Sequence, residues 1–123
     1  MRTMVIVAHP DDIEFGMAGS VARWTLEGED VSYVMVTDGA SGSNDPNIQR
    51  EALVETRRQE QMAAAAIVGV EDVHFLGYPD GTLQPTLELR RDLTRLIRKL
   101  KPDRVVTMDP TLIFFDAGGY INH

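Results

Sequence analysis

Apolar residues fall along this chain in short runs that alternate with longer stretches of helical period. Met4 to Ala8 is an unbroken apolar run that gives way at once to His9-Pro10-Asp11-Asp12, the pattern of a buried strand ending in a loop. From Phe15 to Glu27 the residues Met17, Val21, Trp24 and Leu26 recur at roughly helical spacing, and Gly28 stands where a helix end favours glycine. Val31 to Thr37, rich in β-branched and aromatic residues, predicts a second strand. Asp38 to Asn47 has the composition of a loop and the length of an active-site loop. A helix is predicted from about Gln49 to Val68, through Ala63 to Ala66, ending at Gly69, and a short third strand over Val73 to Leu76. Leu89, Leu93, Leu96, Ile97 and Leu100 predict an amphipathic helix that Pro102 terminates, and Arg104 to Met108 a fourth strand. Thr111 to His123 shows no clear period.

Strands alternating with helices imply an α/β fold, a Rossmann-like three-layer sandwich with a mainly parallel sheet and helices on both faces. The first strand, the most uniformly apolar, is expected at the centre of the sheet. Ligands in such sheets bind beyond the carboxyl ends of the strands. Those ends are His9 to Asp12, Asp38 to Gly42, Tyr78 to Asp80 and Asp109 onward, so four polar clusters are expected on one rim. A length of 123 residues predicts one domain around one core.

Composition narrows the chemistry. With 43% hydrophobic and 25% charged residues the chain has the balance of a soluble globular protein. Lys and Arg number 12 against 19 Asp and Glu, and a net charge of -7 argues against nucleic acid and anionic membrane surfaces as partners. The basic cluster Arg90, Arg91, Arg95, Arg98, Lys99 and Lys101 falls at helical spacing and reads as a solvated helix face. There is no cysteine, so a bound metal must use nitrogen and oxygen ligands. The start has no long apolar region or cleavage site, from which a cytoplasmic location is expected.

Residues 9–14 gather His9, Asp11, Asp12 and Glu14 where a strand hands over to a helix. His9 and Asp12, three apart across a turn held by Pro10, are suited to face one zinc ion, which leaves Asp11 as a base. The plainer alternative has Asp11 or Asp12 capping the helix, Glu14 favoured by the helix dipole, and His9 satisfied in the loop. On spacing alone H-x-x-D is a weak signal. Arg57 and Arg58 with Glu55 and Glu60 have the spacing of exposed helix ion pairs, Pro79-Asp80-Gly81 is turn chemistry, and His74 reads as a structural residue within a strand. A nucleotide-binding module of this layout would carry G-x-G-x-x-G after the first strand. The residues there are H-P-D-D, whose charge repels pyrophosphate.

The string Ala8-His9-Pro10-Asp11-Asp12-Ile13-Glu14 resembles the A-H-P-D-D-x-E signature of the LmbE-like, PIG-L-type N-acetylglucosaminyl deacetylases, which is highly specific. The resemblance continues through Thr37-Asp38-Gly39, Arg57-Arg58-Gln59-Glu60, Leu76-Gly77-Tyr78-Pro79-Asp80-Gly81 and Gly119-Tyr120-Ile121-Asn122-His123, in order along the chain. It implies zinc held by His9 and Asp12, Asp11 as general base, and His123 as the group that stabilises the oxyanion or protonates the leaving amine. It also implies sugar contacts from Arg57 and Asp80, with Glu14 and Asp38 in support. The implied activity is zinc-dependent removal of the N-acetyl group from a small GlcNAc-type glycoconjugate, releasing acetate and a free amine. The family's third metal ligand stands three residues beyond the position of His123. The chain is therefore expected to be the front part of such a domain, to bind zinc weakly, and to turn over little by itself. A metal- or sugar-binding role without catalysis is the alternative. A sheet edge or helix face left uncovered would favour a homo-oligomer.

Overall fold

The computed structural model describes residues 1–39 and 49–111, and the backbone of two short strands beyond them. Elements follow in the order β1 (Arg2–Val7), α1 (Asp12–Gly16), α2 (Ala18–Leu26), β2 (Asp30–Thr37), α3 (Arg50–Ile67), β3 (Asp72–Tyr78), α4 (Leu87–Leu100), β4 (Arg104–Thr107), β5 (Phe114–Asp116) and β6 (Gly119–Ile121). The first four strands make one sheet of order β3-β2-β1-β4, all parallel, and β5 and β6 form an antiparallel pair. β1 is internal, as its composition predicts. Parallel pairing leaves both of its faces covered, and only a continuous apolar run tolerates that.

The two faces separate by residue parity. Val5, Val7, Val31, Tyr33 and Met35 point to one side, where they are buried with Ile13, Val21, Ala65 and Val70. That side is covered by α1, α2 and α3, the crossovers that step from β1 to β2 to β3. The return from β3 across to β4 sends α4 over the opposite face, where Met4, Val34 and Val36 are buried. α4 covers that face incompletely: Leu89, Leu93, Leu96 and Leu100 are half-buried, and Ile97 and Leu87 are exposed. Arg104 secures the start of the β4 edge by stacking on Trp24 at 4.0 Å and donating to Thr3 Oγ1 and Glu29 Oε2 at 3.1 and 2.7 Å.

Several boundaries differ from the sequence reading. The helix expected over Phe15 to Glu27 begins earlier and divides, because Met17, at φ -146 and ψ 2, leaves the helical backbone between α1 and α2. β1 stops at Val7 rather than Ala8, since the Ala8 carbonyl is drawn into the turn by Thr37, whose N–H and hydroxyl both donate to it at 2.8 Å. The predicted loop Asp38 to Asn47 falls mostly outside the described residues.

Tyr33 is fully buried, and its hydroxyl has no hydrogen-bond partner among the described residues. A buried unpaired hydroxyl costs about 1–3 kcal/mol. Tyr33→Phe is therefore expected to stabilise the chain by an amount of that order, read from its denaturant midpoint. A loss of stability on this substitution would show that the hydroxyl is satisfied in solution.

Candidate active site

The turn after β1 is built by its own side chains. Asp12, only 7% exposed, accepts from the His9 N–H through Oδ2 at 2.9 Å, so its carboxylate folds back on the turn instead of capping α1. Asp11 occupies the N-cap position of α1 but makes no side-chain capping bond. Its backbone is left-handed, at φ 82, a conformation an aspartate adopts only under constraint. The capping alternative therefore accounts for neither carboxylate. Gly39, arriving from β2, is the other special backbone: its φ is +69, and a Cβ there would meet Pro10 Cδ at 3.2 Å. Only glycine lets the β2 loop lie this close to the turn.

The His9 ring is held between two carboxylates. Nε2 lies 2.7 Å from Asp80 Oδ1, and Nδ1 lies 3.4 Å from Asp12 Oδ2. Asp80 is in turn fixed by its N–H, which donates to Asp38 Oδ1 at 3.1 Å, and Asp38 Oδ2 accepts from Arg50 at 3.1 Å. The hydrogen bond from Asp12, with Asp80 adding to it, outweighs burial and raises the imidazole from 6.5 to about 9. Asp11 is also pushed up, first by loss of water around it and then by the charge of Asp12, with Arg57 and His9 opposing.

These donors fit zinc. Bonds of about 2.0–2.2 Å in a tetrahedral site put two donor atoms roughly 3.3–3.6 Å apart, and Nδ1 of His9 and Oδ2 of Asp12 stand 3.4 Å apart. With Nε2 engaged by Asp80, Nδ1 is the ring nitrogen that would face a metal here, with the carboxylate orienting the ring from behind. Among the described residues no group of three or more such side chains is gathered around one point.

The other expected site residues distribute as follows. Arg57 pairs with Glu60 at 3.0 Å, as the helix-pair reading has it, yet it also borders Asp11 in a small hollow of about 120 Å³ with Pro10 and Glu14. Glu14 accepts from Gln61 at 3.1 Å. His74 lies on β3 with Nε2 2.9 Å from Asp72 and takes no part in the turn. His123 lies outside the described residues. A larger hollow of about 410 Å³, lined by Thr3, Asp30, Ser32 and Asp72, opens at the amino ends of the strands, away from this chemistry. Sequence reasoning missed Gln61, which lines the hollow beside Asp11. The available signal was its phase: Leu53, Arg57, Gln61 and Ala65 step by four along α3, a stripe that packs inward.

Comparison with known proteins agrees with this fold. The sequence model of the family described as PIG-L, GlcNAc-PI de-N-acetylase, matches residues 4–123. Diacetylchitobiose deacetylase of Thermococcus kodakarensis is 35% identical over 111 residues, covering 90% of this chain and 42% of that protein. Mycothiol S-conjugate amidase of Streptomyces coelicolor is 33% identical over 141 residues, covering 98% of this chain and 46% of that protein. The structure of N,N'-diacetylchitobiose deacetylase from Pyrococcus horikoshii, complexed with its inhibitor MPG, superposes with a TM-score of 0.88 at 37% identity, covering 90% of this chain and 42% of that one. The chain spans less than half the length of each of these relatives.

Proposed function

The chain belongs to the PIG-L family of GlcNAc-PI de-N-acetylases, and from that premise we propose that it carries the core of a zinc-dependent hydrolase acting on a small GlcNAc-type glycoconjugate. The reaction is hydrolysis of the N-acetyl amide to acetate and a free amine. The observation that carries this reading is the turn itself: two donor atoms at the spacing of zinc ligands, next in sequence to a carboxylate that makes no capping bond. His9 Nδ1 and Asp12 Oδ2 hold the ion. A zinc ion held there supplies Lewis acidity. Asp11 takes the proton of the attacking water, a task that a carboxyl raised above its ordinary range performs better near neutral pH. Arg57, at the edge of the Asp11 hollow, contacts the sugar. Asp80 is the family's second sugar contact; here its Oδ1 engages His9, so a hydroxyl would share the carboxylate with the ring. Asp38 supports Asp80 from behind, and His123 takes the oxyanion or leaving-group role. No described helix is long and apolar enough to cross a membrane, and a cytoplasmic enzyme is the setting that fits a small glycoconjugate.

One observation favours a second reading, metal or sugar binding without turnover: the described residues gather two donors and not three. The test is acetate release from an N-acetylglucosamine conjugate with added zinc, by this chain and by the same chain extended with Pro-Asp-His. Turnover that rises on extension and needs zinc supports the hydrolase. Stoichiometric zinc in the extended chain without acetate supports the second reading, and neither metal nor acetate would sink both.

A further inference from the structure

α3 buries a carboxamide. Gln61 is 2% exposed in α3, just before Met62 and the run Ala63 to Ala66, and a buried amide is tolerated only where its donor and acceptor are both used. Both are used at the turn after β1. Oε1 accepts from the Asp11 N–H at 2.7 Å, and Nε2 donates to Glu14 Oε1 at 3.1 Å.

The first of these bonds falls on the strained residue. Asp11 holds a left-handed backbone at φ 82, and its side chain makes no capping bond to pay back the strain. Its carbonyl is fixed by the Glu14 N–H at 3.1 Å, so the Gln61 oxygen and the Glu14 amide clamp the residue from both ends. Without the Gln61 oxygen, the Asp11 N–H has no other described partner, and the ordinary right-handed conformation becomes the cheaper one. The carboxylate would then leave the position it holds in the hollow with Arg57 and Glu14.

We propose that Gln61 is a positioning residue: through its two bonds it holds Asp11 in the left-handed conformation that sets its carboxylate at the hollow shared with Arg57. This rests on the role of Asp11 in the proposed function, and Gln61 acts through Asp11 and not on the reacting atoms.

Two variants test it. Gln61→Met keeps the volume and removes both bonds; Gln61→Glu keeps an acceptor for the Asp11 N–H but sets a carboxylate against Glu14. The expected result is that Gln61→Met moves the Asp11 backbone shifts out of the left-handed range and speeds its amide exchange at least about tenfold, while α3 stays protected. Gln61→Glu, the less stable of the two, keeps the Asp11 shifts near those of the parent. In the acetate assay Gln61→Met lowers kcat about tenfold, with KM and zinc content within about twofold. Unchanged Asp11 shifts in Gln61→Met would overturn the proposal. So would Asp11 order that follows overall stability across the two variants, which is what a merely structural residue gives. A silent assay in the extended chain with Gln61 intact would instead count against the proposed function, and the Asp11 shifts would still decide the role of Gln61.

Discussion

In the chain extended with Pro-Asp-His, Asp11→Asn is expected to cut zinc-dependent acetate release by about 10² to 10⁴-fold, the range a positioned general base supplies, with zinc affinity unchanged within a few-fold. The substitution separates chemistry from structure unusually well at this position. Asparagine accepts a left-handed backbone as readily as aspartate does, and the backbone N–H still reaches Gln61. The carboxylate makes no capping bond, so α1 loses nothing when it becomes an amide. What disappears is the proton acceptor. The measurement is acetate release beside metal content, parent against variant. Equal rates would remove Asp11 from the mechanism, and a rate loss matched by zinc loss would move it into the ligand set.

The parts of the fold legible in the sequence are those set by local pattern. The run Met4 to Ala8 marks an internal strand because nothing but continuous apolarity survives between two covered faces, and β1 is indeed flanked by β2 and β4. The α4 stripe of leucines and its stop at Pro102 are similarly local, and the helix ends at Leu100. The break at Met17 follows Gly16, a local cue that the helical spacing from Phe15 to Glu27 outweighs in the sequence reading. β3 runs to Tyr78, beyond the expected Leu76, because Tyr78 still pairs with Thr37 across an irregularity in β2.

The site divides along the same line. His9, Asp11 and Asp12 are legible because the motif is continuous, and a strand-to-helix turn constrains what six residues can do. The contacts that give them their chemistry come from far along the chain: Asp80 reaches His9 across 71 positions and Gln61 reaches Asp11 across 50. A composition rule cannot see such pairs. Gln61 in particular reads as one more polar residue in an alanine-rich helix until the inward stripe of α3 is laid against the turn.

The same two-carboxylate grip on His9 predicts opposite pH trends for folding and for metal. The imidazole stands near 9 in the folded chain against an ordinary 6.5, with Asp12 the chief cause. A raised value stabilises the fold through the charged form, so that contribution is complete below about pH 6.5 and is lost as the pH climbs through 9. The metal-free chain is therefore expected to lose stability from pH 7 to pH 9. Zinc behaves the other way. It must displace the proton on Nδ1, so below pH 9 its apparent affinity gains about tenfold per pH unit, roughly a hundredfold between pH 7 and 9. Ordinary Asp and Glu side chains are fully ionised throughout this window, and lysine and tyrosine titrate mostly above it, so His9 dominates both curves. Denaturant midpoints and zinc competition against a chelator, taken in the same buffers, check the pair of trends, with His9→Gln as the control that should flatten both. A zinc affinity that stays level between pH 7 and 9 would mean that no proton leaves on binding. The ion would then be held by something other than the nitrogen that faces Asp12.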